Sequence, residues 1–117
     1  MQHRQEFADF AAERMAGLGR ITARRMFGGH GLYCDGLFLA IIIGDKLYLK
    51  ADTQTQPVYE ERGLARFTYS ARGKTVQLMY YEAPADVFDE PAAMQHWGRL
   101  ALQAALRARR PASRKRR

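Results

Sequence analysis

Residues 35–50 read DGLFLAIIIGDKLYLK, and this stretch decides the fold. It holds two two-residue turns, Asp35-Gly36 and Gly44-Asp45, which are typical of type I′ and type II′ hairpins. The seven residues 37–43 between them are apolar and suit a buried strand. Residues 46–50 then alternate leucine with lysine or tyrosine, as a half-buried strand does. The stretch therefore predicts antiparallel strands joined by tight turns.

The chain before this stretch predicts one helix and one more strand. Residues 5–18 repeat apolar side chains at spacings of three and four, which is typical of an amphipathic helix. Residues 24–27 lead through three glycines into residues 32–34. We interpret both pieces as one strand that bulges or bends at the glycines, because glycine weakens regular pairing. The N-terminal half is thus predicted to be a helix followed by a three-stranded meander.

The chain after this stretch predicts a short helix, a second hairpin and a long helix. Gly63 ends the short helix, and residues 67–70 and 75–81 form the hairpin. The last helix begins near Asp89 and is expected to end at Pro111, since proline interrupts helical hydrogen bonding.

The predicted order of elements is α-β(3)-α-β(2)-α. Strands grouped in hairpins indicate an α+β fold of two layers, a five-stranded antiparallel sheet with helices packed on it. A length of 117 residues fits one domain. We place this domain at residues 1–110 and predict that residues 111–117 are a disordered basic tail, because they have no apolar surface to bury.

The net charge of +7 is concentrated at the C-terminus. Residues 1–106 contain 12 Lys/Arg and 12 Asp/Glu, so the charges of this part balance. We call residues 107–117 the basic segment. This segment, and not the body of the domain, is therefore the expected site of any phosphate contact. Its candidate residues are Arg107, Arg109, Arg110, Arg114, Lys115, Arg116 and Arg117.

Cysteine content and hydropathy indicate a cytoplasmic protein. Cys34 is the sole cysteine of the chain, so an internal disulfide is impossible and nothing calls for an oxidising compartment. No apolar run approaches the roughly 20 residues that cross a bilayer, and the polar N-terminus differs from a signal peptide. We expect no membrane association.

Four motifs follow one another along the chain: MFGGHGLY at 26–33 with the turn after it, LYLKAD at 47–52, FTY at 67–69 with YYEAP at 80–84, and Trp97 with alanines at 101 and 105. Over residues 8–108 this series resembles the N-terminal domain of the TfoX/Sxy competence regulators. The motif residues, which we expect to be structural, are Met26, Phe27, Gly28, Gly29, Gly31, Tyr33, Asp35, Gly36 and Trp97.

The resemblance implies a regulatory role and offers no catalytic residue. It implies action at promoters of DNA-uptake genes through a protein partner, a transcription activator of the cAMP-receptor type. The C-terminal domain of two-domain members has no counterpart in the printed sequence, so the expectation is a stand-alone N-terminal domain, as a monomer or a homodimer.

The residues themselves point to no catalytic or metal site. The glycines at 28–31 match neither GxGxxG nor a P-loop, so a strand irregularity is favoured over a phosphate cradle. His30 and Cys34 lie four residues apart in a predicted strand, and roughly 13 Å is too far for one metal ion. We expect no enzymatic activity and no cofactor.

Aromatic residues of the strands leave two binding hypotheses open. Tyr80 and Tyr81 are adjacent and must point to opposite faces, so Tyr80 is a candidate contact on a helix-free face. The first hypothesis is a regulatory domain that binds a protein. The second is a nucleic-acid binder that uses the tail and stacks bases on aromatics interleaved with Lys50, Arg66, Arg72 and Lys74. An unidentified small-ligand protein or enzyme is a third.

Overall fold

Helices flank a sheet in the part of the chain that the computed structural model describes, residues 2–26 and 28–114, with side chains described for 5–26 and 28–109. Two short 3₁₀ helices, Ala16–Leu18 and Ala85–Phe88, complete the regular structure of this part. In chain order the α-helices and strands are α1 Gln2–Arg14, β1 Ile21–Met26, β2 Gly29–Cys34, β3 Leu37–Ile43, β4 Lys46–Lys50, α2 Gln56–Glu61, β5 Arg66–Ala71, β6 Lys74–Glu82 and α3 Pro91–Arg114.

The α+β class and the antiparallel sheet are confirmed, but the predicted number of five strands is wrong. The sheet has six strands in the order β1-β2-β3-β4-β6-β5, and every neighbouring pair is antiparallel. The additional strand comes from residues 21–34, of which we interpreted residues 24–34 as one strand. They form β1 and β2, which pair with each other from Ile21–Cys34 to Met26–Gly29.

Gly28 explains the division. Its φ of 76° lies in the left-handed region, which lets the chain reverse between β1 and β2. The irregularity expected at the glycines lies elsewhere: the β2–β3 register shifts between Leu32 and Tyr33. Gly29 and Gly31 serve close packing instead. A Cβ at Gly29 would overlap the Ile42 carbonyl oxygen, and one at Gly31 would come within 2.8 Å of the Phe38 ring.

The three hairpin turns read from the sequence are confirmed. Asp35 and Gly36 have φ values of 49° and 85°, and Arg72 and Gly73 have 53° and 77°, as both central positions of a type I′ turn require. At Gly44-Asp45 only the glycine has positive φ, at 64°, as expected for type II′.

One face of the sheet packs against all three α-helices. Leu32, Ala40, Leu49 and Tyr81 lie opposite one another across four adjacent strands, and all four are fully buried. Helices α1, α2 and α3 add their own buried residues to this core, chiefly Ala8, Ala11, Met15, Tyr59, Met94, Trp97, Ala101 and Ala105. The alanines of α1 and α3 let both helices lie close to the sheet.

The helix ends differ from the sequence expectation. Helix α1 stops at Arg14, and its predicted continuation to residue 18 is the separate 3₁₀ turn. Helix α3 continues beyond Pro111 to Arg114, so the predicted end at Pro111 is wrong. Lys115, Arg116 and Arg117 lie outside the described residues, and the division of the chain at residue 110 stays a prediction.

A helix that crosses a bilayer needs about 20 predominantly apolar residues. Among the helices of the described residues, none has the length and hydropathy to do so.

We predict that Gly29→Ala destabilises the domain by about 3 kcal/mol or more, because backbone must move to admit the methyl group. Gly17→Ala is the matched control. Its Cβ would meet the Gln95 Oε1 atom at 2.9 Å, and this side chain can rotate away. Urea unfolding monitored by circular dichroism measures both free energies of unfolding. Equal values for the two variants would contradict the packing assigned to Gly29.

Candidate binding face of the sheet

The sheet face opposite the helices carries a set of aromatic side chains. Strand parity places them there, and their mutual ring contacts confirm it. We call this set the aromatic face, defined by Tyr33, Phe38, Tyr48, Phe67, Tyr69 and Tyr80. The helix-side core is complete without these residues, so their aromatic character is not required to hold the helices.

The first row of the aromatic face consists of Tyr33, Phe38 and Tyr80, and a cation lies at each end of it. Tyr33 stacks on Phe38 with ring centroids 5.0 Å apart, and Phe38 contacts Tyr80 at 5.9 Å. The Arg24 guanidinium lies 5.3 Å from the Tyr33 centroid, and the Lys50 Nζ atom lies 5.2 Å from that of Tyr80. Cations over ring faces are attracted by the ring quadrupole. The ring faces of this row are therefore largely occupied by each other and by these two cations.

The second row of the aromatic face consists of Tyr48, Phe67 and Tyr69, and it borders an open groove. Tyr48 meets Phe67 edge to face at 4.9 Å, and Phe67 contacts Tyr69 at 5.9 Å. The Tyr69 side chain is 44% exposed and is among the few large apolar side chains exposed in the described residues. Beside it lies a groove of ≈ 470 Å³, lined by Ile43, Phe67, Thr68, Tyr69 and Leu78.

Burial shifts the proton affinities at the first row. Burial lowers the pKa of Lys50 from its ordinary value, and the nearby Asp52 carboxylate opposes this effect. Burial also raises the pKa of Tyr80 to about 12, with the Tyr33 hydroxyl as a smaller cause. Tyr80 therefore stays a neutral phenol at physiological pH, and its adjacent cation Lys50 is partly desolvated.

The balanced charge of residues 1–106 conceals a separation between layers. The sheet segments, residues 21–50 and 66–82, contain seven Lys/Arg and three Asp/Glu. The rest of 1–106 contains five Lys/Arg and nine Asp/Glu. The sheet segments thus carry a charge of +4, and the remaining segments of residues 1–106 carry −4. The expectation that the body has no electrostatic preference is therefore incomplete, since a net sum does not register where charges lie.

Tyr80 and Tyr81 divide between the two faces as the sequence predicts. Tyr80 lies on the aromatic face but is only 7% exposed, so its edge rather than its ring face is available. Tyr81 is fully buried on the helix side, where its hydroxyl donates to Glu60 Oε2 at 2.6 Å and accepts from Gln56 Nε2 at 2.8 Å.

Arg107 has a structural partner that the sequence reading missed. Its Nε and Nη2 atoms donate to the Asp52 carboxylate at 2.6 and 3.0 Å. Asp52 also accepts from the backbone N–H groups of Gln54 and Thr55, at the entry to α2. The pair joins α3 to α2, and a phosphate contact of Arg107 would have to compete with it. The two residues are 55 apart, and no local pattern indicates such a contact.

The remaining tail candidates are not brought together. Arg109 is exposed on α3, and Arg110 and Arg114 belong to the same helix with side chains outside the described set. Their phosphate contacts stay a prediction, as does that of the residues beyond Arg114.

The structural motif residues occupy turns and packing positions. Asp35 and Gly36 form the β2–β3 turn, and Gly28, Gly29 and Gly31 act as described above. Met26 ends β1 and packs beside Gly31. Trp97 is 5% exposed and contacts the Tyr59 ring at 5.2 Å. Phe27 lies outside the described residues.

Polar groups of the core do not converge on a reactive centre within the described residues. No group of three His, Cys, Asp or Glu side chains there has the proximity that a metal ion needs. Cys34 is fully buried beside Asp35. Burial is the largest cause of the raised pKa of its thiol, and the Asp35 carboxylate is the next, so the thiolate is disfavoured. His30 is 6% exposed and lies 3.4 Å from the Gln5 side-chain oxygen.

The family model of the TfoX N-terminal domain matches residues 13–105. The chain belongs to this family. The match covers all six strands, so the resemblance read from the four motifs is confirmed. It begins five residues after and ends three residues before the expected range of 8–108.

Two named relatives support the assignment of this TfoX N-terminal domain. Protein Sxy of Escherichia coli (strain K12) is 28% identical over 95 residues, which cover 81% of this chain and 46% of that protein. DNA transformation protein TfoX1 of Aliivibrio fischeri (strain ATCC 700601 / ES114) is 26% identical over 95 residues, covering 80% and 44%. The chain thus spans less than half the length of either relative.

We predict that Arg107→Gln lowers the free energy of unfolding by about 1 kcal/mol at pH 7, as expected for a partly exposed bidentate pair. The Arg107 hydrogen bond is the largest cause of the lowered pKa of Asp52. A lowered carboxyl pKa stabilises the fold above the ordinary value near about 4, and the contribution is lost as pH falls through the lowered value.

The measurement is urea unfolding of wild type, Arg107→Gln and the exposed control Arg109→Gln between pH 7 and pH 2. The difference between wild type and Arg107→Gln should disappear at the acid end, and Arg109→Gln should match wild type throughout. A difference that is unchanged at pH 2 would show that the ion pair is not its source.

Proposed function

We propose that this TfoX N-terminal domain is a non-enzymatic regulatory domain of the cytoplasm that acts on transcription of DNA-uptake genes by binding a protein partner. The family match and the relatives named for Sxy and DNA transformation support the regulatory class. The partner class that fits the family is a transcription activator of the cAMP-receptor type.

The aromatic face is the observation that carries the binding role. Aromatic side chains at a surface provide large contact areas with little loss of conformational entropy, and they dominate the energetics of protein interfaces. Here five of the six rings retain exposed area while the core on the other face is already filled. The cations at both ends add charge selectivity to this apolar surface.

Arg24 and Arg25 provide a matched test of this face. They are neighbours in β1, both are exposed, and strand parity directs them to opposite sides of the sheet. We predict that chromosomal Arg24→Glu in the encoding organism lowers transcripts of DNA-uptake genes about fivefold or more, as loss of about 1 kcal/mol of partner affinity would. Arg25→Glu should leave them near wild type.

The measurement is quantitative PCR of these transcripts, with deletion of the gene as the reference for complete loss. Unchanged transcripts after deletion would refute the transcriptional role. Equal effects of Arg24→Glu and Arg25→Glu would show that the aromatic face is not the contact surface.

Direct nucleic-acid binding is the second candidate, and the cations of the sheet layer together with the basic segment favour it. Against it, the ring faces of the first row are already covered, so few are free to stack on bases.

A full-length variant separates the contribution of the basic segment from that of the sheet. It carries glutamine at residues 109, 110 and 114–117 and keeps Arg107 for its pair with Asp52. We predict that wild type binds single-stranded DNA with a salt slope no steeper than about −4, since these six cations face a single strand. The glutamine variant should lose nearly all of this affinity. Fluorescence anisotropy across a salt series measures both slopes. Undiminished affinity of the variant would instead favour the nucleic-acid candidate through the sheet.

A further inference from the structure

Strand β5 ends the sheet on one side. It pairs with β6, and within the described residues no second strand lies on its other side. Residues 68–70 at its centre are exposed, and β5 contains no proline that would block pairing. An edge of this kind presents backbone N–H and C=O groups that another extended chain can use.

The groove described above lies on the face of the sheet between Ile43 of β3 and strand β5, so β5 borders it. Four of its five lining residues are apolar or aromatic, and two of them, Phe67 and Tyr69, belong to β5 itself. Alternate side chains of an added strand point to the same face of a sheet. An added strand would therefore direct every second side chain toward the face on which the groove and Tyr69 lie.

The charge of the β5–β6 hairpin selects among the possible occupants. Residues 66–82 contain Arg66, Arg72 and Lys74, and their single acidic residue, Glu82, forms a salt bridge with Lys46 of β4. A second copy of this hairpin would bring the same three cations close to this edge, and neighbouring like charges across strands are destabilising. The basic C-terminal segment of this chain would be repelled for the same reason. An acidic segment of a different protein fits the charge.

Arg72 and Lys74 are exposed at the hairpin turn, at the free end of β5. Neither takes part in the two salt bridges found among the described residues, which use Lys46 and Arg107. Arg66 is committed differently, since its Nε atom donates to the Leu78 carbonyl oxygen at 3.0 Å. Arg72 and Lys74 are thus the side chains placed to receive carboxylates.

We infer that the β5 edge and its groove bind an extended acidic segment of the partner protein, which adds to the sheet as a seventh strand. Backbone hydrogen bonds to β5 supply the affinity, an apolar side chain packs on the exposed Tyr69 ring at the border of the groove, and carboxylates face Arg72 and Lys74. This rests on the proposed function, because it assigns the surface by which the domain holds its partner. A nucleic-acid strand fits less well, because phosphates cannot reproduce backbone pairing with β5.

The test is a titration of the ¹⁵N-labelled full chain with an eight-residue peptide that alternates glutamate and valine, followed by NMR. Chemical shifts should change in residues 66–71 and in Leu78. The same peptide with lysine for glutamate should bind at least tenfold more weakly. Lys74→Glu should lower the affinity for the acidic peptide about fivefold. Tyr69→Ser should also lower this affinity, because it removes the exposed ring on β5. Arg99→Glu, an exposed charge reversal on α3, is the matched control and should bind like wild type.

The inference would be overturned by the absence of chemical-shift changes at millimolar peptide, by changes that map away from β5, or by equal binding of the lysine peptide. Stronger perturbation of the same amides by oligothymidylate would also overturn it, in favour of a nucleic-acid strand. The titration contains no promoter, so its failure is distinguishable from failure of the transcriptional proposal. If the peptide does not bind but the transcript measurements come out as predicted, this inference alone is refuted and the proposed function stands.

Discussion

Adjacent residues of a strand must face opposite sides of a sheet, and the arrangement of this domain depends on that constraint at Tyr80 and Tyr81. Tyr81 stacks on Tyr59 at 5.1 Å and hydrogen-bonds to Glu60, which fixes α2 against β6. Burying Tyr81 among the helices leaves Tyr80 on the other face, where it meets Phe38 and Lys50. The core and the candidate binding face are therefore built by the same two residues. A change in the register of β6 by one residue would exchange them and disrupt both.

Separation of charge follows from the same layered construction. The helices cover one side of the sheet, and nine of the twelve acidic residues lie in the segments outside the sheet, among them the exposed Glu6, Asp9 and Glu13 of α1. The sheet segments carry seven of the twelve cations of residues 1–106, at turns and on both faces of the sheet. A domain with no net charge in residues 1–106 can thus present a cationic surface to one partner and an acidic surface elsewhere. The basic segment adds to the total charge but does not create this polarity.

Local signals predicted most of the fold. Turn residues with positive φ marked three hairpins, and alternation in β4 marked the buried face, because both depend on neighbouring residues alone. The division between β1 and β2 was missed because a glycine at a tight reversal and a glycine at a bulge give the same sequence pattern. The Asp52–Arg107 pair and the groove between Ile43 and Leu78 were missed for a different reason. They join residues far apart in the chain, and only the folded topology brings them together.

An exposed edge strand exposes a protein to aggregation, and natural sheets protect such edges with charge and irregular pairing. Strand β5 has both protections: its hairpin carries three cations and one acidic residue, and its register with β6 shifts between Arg66 and Thr68. Protection by charge alone would not require an exposed tyrosine beside an apolar groove, since both favour the association that the charge opposes. The two features are compatible if the cations exclude identical chains while the groove and tyrosine remain open to a segment of opposite charge. The same positive charge then protects the edge, because it repels identical chains, and selects the partner, because it attracts an acidic segment.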